Sequence, residues 1–268
     1  MLQVARLAPN LLQEAADRVA DFLRSQFNED GGARDRAGKS DLYYTVFALE
    51  GLIALRQDLP ADRVRAWLES FRVGEELDFV HLTCLARCWA ALGPKALPAD
   101  VARSLAFKIP AKSNSSLYHQ FLLTGAVEDL SGNSVRGDEA ASIILRQQST
   151  DGSFGGTTPT TAAAVSLIHH LGAEVPGTAV DWLLARARPE GGFLATPDAP
   201  VPDLLSTATA LHALAAAHAS IGALREPMLD FVDSLWTGRA FCGSWADDIQ
   251  DSEYTYYGLL SLGHLSLS

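Results

Sequence analysis

The chain has 268 residues, 48% of them apolar and 20% charged, with 21 Lys plus Arg against 32 Asp plus Glu and a net charge of −11. That apolar share excludes a disordered chain, and the acidic excess excludes general binding to nucleic acid or anionic membrane, which needs a dense basic surface. Three cysteines, Cys84, Cys88 and Cys242, are too few for a disulfide framework. The first residues lack the apolar core of a signal peptide, and no apolar run is long enough to span a bilayer, so the expectation is a cytoplasmic protein without a transmembrane segment.

Taken in chain order, the predicted helices alternate between two kinds. Residues 10–27 form an amphipathic helix, then a Gly-Gly turn (Gly31, Gly32), then Asp41-Leu-Tyr-Tyr-Thr45 opening the apolar run FALEGLIAL. Residues 60–71 and then Asp78 to Thr83 repeat the pair, as do 98–107 and the more degraded Ser116-Leu-Tyr-His-Gln120. Residues 137–148 lead through Asp151-Gly-Ser-Phe-Gly-Gly156 to Thr157-Thr-Pro-Thr-Thr161. Residues 176–187 lead through Glu190-Gly-Gly-Phe193 to Asp203-Leu-Leu-Ser-Thr207, and 225–236 through Gly243-Ser-Trp245 to Asp251-Ser-Glu-Tyr-Thr255. With 45, 83, 120, 161, 207 and 255 as anchors the steps are 38, 37, 41, 46 and 48 residues, the spacing of a helical-hairpin repeat.

The first helix of each pair carries charge on one side, often opening with Pro and an acidic residue that suits the positive end of the helix dipole. The Thr-anchored helices are apolar nearly all round and need burial on both faces. Period-two β-branched runs are absent, so almost no strand is expected. The reading is an all-α chain, one domain over residues 1–268, built as an α6/α6 toroid of six hairpins with an outer and an inner helix ring.

The Asp-x-x-x-Thr helices and Gly-rich turns together resemble the protein prenyltransferase β-subunit and squalene/hopene cyclase (terpenoid cyclase) repeat family. The likeness is good over about residues 140–268, carried by Gln147 to Gly156 with the following threonines and by the last two repeats, and weak over 60–135. It implies an α/α toroid whose apolar central funnel takes an isoprenoid or another long apolar molecule, with chemistry at the positions four, two and one before each anchor Thr. Prenyltransferase β-subunits bind catalytic zinc there; the matching residues here are Asp203, Leu205 and Tyr254, and leucine cannot ligate a cation. No Lys or Arg follows Phe193 where the family holds diphosphate. The zinc and diphosphate sites therefore read as lost, and no cofactor is expected. Class II cyclases carry Asp-x-Asp-Asp-Thr, whose middle acid protonates an alkene or epoxide, and the last repeat here offers Asp251 and Glu253 at the first and middle positions. A carboxyl group in a dry funnel is made more basic by desolvation and by a neighbouring carboxylate, so the pair suits general-acid work. The simpler reading of the same residues is an N-cap (Asp251, like Asp41 and Asp203) and a favourable first-turn charge (Glu253).

Asp247-Asp248-Ile-Gln-Asp251 also spells the metal motif of class I terpene synthases, which reads as chance in a turn, although acids gathered at a funnel mouth would offer weak ligands to Mg²⁺ or Ca²⁺. His81, Cys84 and Cys88 share one helical face and are soft-metal ligand types, but packed core is the commoner role. Arg87 and Glu50 stand inside apolar helices; either they satisfy each other across the funnel, or Arg87 receives an anionic group of a ligand. Tyr254, Tyr257, His212, Asp203 and Asp248 complete the candidate ligand contacts. Two functions remain open: an isoprenoid-binding protein with acid-initiated cyclisation, or a non-catalytic toroid that binds a lipid or a protein partner, a second copy of itself included.

Overall fold

The computed structural model describes residues 1–93, 96–114, 116–133, 135 and 137–267. Its helices are α1 (Leu2–Ala5), α2 (Pro9–Leu12), α3 (Ala15–Ser25), α4 (Leu42–Ala54), α5 (Ala61–Ser70), α6 (Phe79–Ala91), α7 (Ala99–Lys112), α8 (Leu117–Ser131), α9 (Asp138–Leu145), α10 (Thr158–Leu171), α11 (Gly177–Leu184), α12 (Leu204–Ala216), α13 (Arg225–Ser234) and α14 (Ser252–Leu265). From α3 onward they fall into the alternating pairs that the repeat spacing predicts. The helix expected over 10–27 is broken, because Gln13 takes a left-handed φ of 49° between α2 and α3. No helix among the described residues is long and apolar enough to cross a membrane.

The chain packs as two compact units, Ala20–Val135 with Asp251–Glu253, and Met1–Val19 with Arg136–Gln250 and Tyr254–Ser268. In the first, α6 packs against α4 on one side and α8 on the other. Leu49, Leu52, Leu82, Leu85 and Trp89 are buried there, each side chain worth roughly 1.5–3 kcal/mol of hydrophobic stabilisation. Helix α8 is the exception to two-sided burial: only Leu117 and Ala126 are buried among its described residues, since Thr124, Glu128 and Asp129 interrupt its apolar surface. In the second unit α10 packs along α12, burying Val165, Ile168, Leu211 and Leu214.

The Asp and Thr of the repeat have separate jobs. The acid caps its helix: Asp41 accepts from the Tyr43 and Tyr44 N–H groups, Asp78 from His81 and Asp203 from Ser206. In three of the repeats the buried Thr hydroxyl, one turn in, takes the N–H of the preceding turn, Ala33 to Thr45 at 2.8 Å, Phe154 to Thr161 at 3.0 Å and Phe193 to Thr207 at 2.9 Å. Each Thr thus ties a Gly-rich turn to the helix that follows it. The turn glycines are needed for close approach. At Gly191, with φ +101°, a Cβ would lie 2.0 Å from the Pro227 carbonyl oxygen, and at Gly31, with φ +103°, 2.3 Å from that of Arg63.

The expectation of almost no strand needs one correction. Four short strands, β1 (Phe193–Leu194), β2 (Pro202–Asp203), β3 (Cys242–Ser244) and β4 (Asp247–Gln250), form an antiparallel sheet in the order β1-β2-β3-β4. Strands of two to four residues need little intrinsic β propensity. Here two long turns of neighbouring repeats lie side by side, and pairing satisfies their backbone groups.

Candidate active site

The site forms in the first unit, where Asp251 and Glu253 meet residues 36–44. Asp251 precedes α14 and is 3% exposed; its Oδ2 accepts from Arg36 Nε at 2.9 Å. Glu253, in the first turn of α14, accepts on Oε1 from the Tyr43 hydroxyl at 2.6 Å. Ser252 Oγ donates to the Tyr44 carbonyl at 2.9 Å, which fixes the start of α14 against the start of α4. These contacts join residues 208 to 215 positions apart.

Burial pushes the Glu253 carboxyl up to about 7; the Tyr43 hydrogen bond and the Arg36 charge work against this, and the Asp251 charge adds to it. Tyr44 rises to about 12, first through burial and then through the Asp251 and Glu253 charges. The two acids are therefore treated differently: Asp251 accepts from a guanidinium that holds it as an anion, while Glu253 accepts from a neutral phenol. A half-buried carboxyl that still holds its proton near pH 7, beside a fixed carboxylate, is a competent general acid.

Three more side chains reach the site from the matching repeat position, two before the anchor. They are Tyr43, His81 and Tyr118, where the last repeat has Glu253. His81 bridges two helix caps, Nδ1 to Asp78 Oδ1 at 2.8 Å and Nε2 to Asp41 Oδ2 at 3.4 Å. Burial works against its charge, but the Asp78 and Asp41 carboxylates outweigh that and hold its pKa above the ordinary value. Tyr118 is 45% exposed, and its hydroxyl is raised to about 12 by burial, then by the Cys84 and Glu253 charges.

The remaining candidates are dispersed. Arg87 pairs with Glu50, and its Nε lies 4.0 Å from Asp129 Oδ2. The pairing between the two charges holds, but it runs between the packed helices α4 and α6 rather than across a funnel, because Glu50 and Arg87 stand on facing sides of that contact. Cys88 Sγ contacts the Leu42 carbonyl at 3.8 Å, and burial pushes the Cys84 thiol up to about 12. Neither is a ready thiolate ligand, and both nitrogens of His81 are committed to carboxylates. Among the described residues no group of three or more His, Cys, Asp or Glu is placed to hold a metal ion.

In the second unit Asp203 caps α12 through Ser206, with its carboxyl raised by burial against those hydrogen bonds. The Tyr254 ring covers Gly243, where any Cβ would lie 2.6 Å from it. Tyr257 is buried against Tyr256, and His212 Nδ1 lies 3.0 Å from His264 Nε2. Asp248 is exposed on β4, and Asp247 turns back to the Ile249 N–H at 3.1 Å, because the segment is extended rather than helical.

Arg36, Tyr43, Tyr44 and the His81–Asp41 contact were not foreseen from sequence. The available signal was positional: Tyr43 and His81 sit where Glu253 sits in its own repeat, and Asp35-Arg36-Ala37-Gly38-Lys39 is a basic insert in the first Gly-rich turn.

A model of the prenyltransferase alpha-alpha toroid domain matches residues 7–92 and 161–266. No curated protein matches the chain.

Proposed function

This chain belongs to the prenyltransferase α/α-toroid domain family, and from that premise we propose that it binds an isoprenoid or similar long apolar molecule and starts its cyclisation by protonation. Glu253 is the general acid. With Oε1 held by Tyr43, the proton rides on the other carboxyl oxygen and passes to a terminal C=C bond of the substrate. The carbocation so formed is attacked by a neighbouring C=C bond, closing a ring, and loss of a proton from carbon gives the cyclic alkene and restores the acid. Asp251, held by Arg36, is a fixed negative charge that favours the protonated form of Glu253 and stabilises positive charge nearby.

The observation that carries this reading is the division of labour between the two acids: one salt-bridged and 3% exposed, the other on a phenol at 2.6 Å. Capping alone accounts for Asp41 and Asp203 but not for a carboxylate seated on an arginine 215 positions away.

Incubating the purified protein with squalene and with geranylgeranyl diphosphate, followed by extraction and mass spectrometry, tests it. The expected result is a cyclised isomer that disappears in Glu253→Gln. Unchanged substrate in every incubation overturns the cyclase reading. A second reading, a non-catalytic toroid that binds lipid or a protein partner, is favoured by Leu205 at the family's zinc-ligand position and by Tyr254 packed over Gly243. Native mass spectrometry showing a co-purified lipid that is never turned over supports that alternative.

A further inference from the structure

The pair His212 and His264 takes no part in the site around Glu253. His212 lies on α12 and His264, 5% exposed, in the last turn of α14. Their facing ring nitrogens are 3.0 Å apart, with ring centroids at 5.2 Å and planes tilted by 60°. Such a contact requires one nitrogen to donate and the other to accept, so at least the accepting ring is neutral, and two protonated rings cannot make it. A proton on each ring would aim two N–H groups at one another in a poorly hydrated place.

The charges acting on the rings push the same way. His212 feels the amino group of Met1, His264 and His169 of α10; His264 feels the amino group of Met1. His169 meets His218 edge to face, with ring centroids 5.8 Å apart. Arg225 donates to the Leu265 carbonyl at 3.1 Å, next to His264. The acids on the adjoining α10–α11 segment, Glu174 and Asp181, are exposed. This is the reverse of His81, which sits between two carboxylates.

We propose that the His212–His264 pair is an acid-opened latch between α12 and α14, closed while both rings are neutral and released when the imidazoles take up protons, freeing the C-terminal turns of α14. Burial, the Met1 amino group and neighbouring imidazole charge depress the His212 ring to about 3; burial and the Met1 amino group depress His264 to about 4, consistent with a latch that gains protons only on opening.

Hydrogen exchange followed by mass spectrometry, corrected for the intrinsic pH dependence of amide exchange, tests the latch. Opening that takes up one proton speeds about tenfold per pH unit below the ordinary imidazole range. The peptide covering residues 259–267 should therefore exchange at least about tenfold faster at pH 5 than at pH 6, while a peptide from α6 does not. In His264→Gln and in His212→Gln, which keep a polar side chain but remove one of the two titrating rings, the acceleration should fall by the share of one proton, up to about tenfold per pH unit. Protection that persists to pH 4 in the wild type, or acceleration undiminished in both variants, overturns the proposal. If neither variant folds, an NMR titration of the wild-type imidazoles decides: two rings that protonate near pH 6.5 with α14 still protected overturn it, and rings that protonate only as α14 opens support it.

Discussion

Helix α14 carries a buried titratable pair at each end, and the two ends respond to acid with opposite sign. At its start, burial raises the Glu253 carboxyl from an ordinary 4.5 to about 7. The folded chain then holds a proton that the unfolded chain has lost between those values, so stability falls as pH rises through the window. At its end, His264 is depressed from 6.5 to about 4, so the unfolded chain binds the extra proton and stability falls as pH drops below 6.5. Desolvation is the leading cause in both, yet the outcome differs because burial opposes whichever form is charged. A wild-type stability profile between pH 5 and 7 therefore superimposes two opposed slopes, and single substitutions separate them.

The largest expected effect lies at the ion pair. Arg36→Met removes the cation from a carboxylate that is 3% exposed, and uncompensated buried charge is costly. The expected loss is about 2–4 kcal/mol at pH 8, read from urea unfolding, discounted because the Arg36 side chain is 34% exposed. The loss should shrink at pH 4, where the bared Asp251 takes up a proton. An equal loss at both pH values would mean that Arg36 acts through packing alone.

Next comes Glu253→Gln. The variant is neutral at every pH, so the Glu253 slope should vanish and stability at pH 8 should rise by at most about 3 kcal/mol, the free energy of the shift from 4.5 to 7. Activity, if the cyclase reading holds, should fall by two orders of magnitude or more. Gain of stability with loss of turnover is the signature of a functional acid held at a structural cost. No gain at pH 8 would place Glu253 in water. His264→Gln should remove the His264 contribution to the opposite slope, about 2 kcal/mol between neutral pH and pH 5, and leave the Glu253 slope and the His212 contribution in place.

How much of this was legible in the sequence follows from the range of each interaction. The helices were legible, because their apolar spacing is local, and so was the toroid repeat, because Asp, Thr and Gly recur at spacings of 37 to 48 residues. The function of the repeat Thr was not, since a hydroxyl that holds the Ala33 or Phe193 N–H leaves no trace beyond its own recurrence. Glu253 and Asp251 were visible through the family motif, but their environment was not. Arg36 lies 215 positions from Asp251 and Tyr43 lies 210 from Glu253, and neither periodicity nor spacing encodes such pairs. The environment of Asp247 and Asp248 was not legible either: the extended β4 segment leaves Asp248 exposed and lets Asp247 accept from the Ile249 N–H. Polar residues inside apolar helices were the better guide, since Glu50, Arg87 and His212 had to find partners and did.

The smallest change gives the sharpest test of what sets the Glu253 end apart. Tyr43→Phe removes one hydroxyl and nothing else. The Tyr43 hydrogen bond stabilises the charged carboxylate and so holds the pKa down against burial. Its loss should move the Glu253 titration upward by up to about one unit, roughly 1.4 kcal/mol, and carry the basic limb of any activity profile with it. An infrared titration of the Glu253 carboxyl stretch, assigned by difference against Glu253→Gln, reads that shift without needing a substrate. The sign is the discriminating feature. A downward shift would mean that water enters the vacated space and solvates the carboxylate better than the phenol did, and the site would then be wet. An upward shift marks a dry carboxyl whose one polar contact was Tyr43, the condition under which it can protonate an alkene. The histidine end should not respond to Tyr43→Phe, because burial is the leading cause of the His264 shift and the substitution leaves that burial unchanged. A response there would couple the two ends through α14 and replace two independent titrations with one.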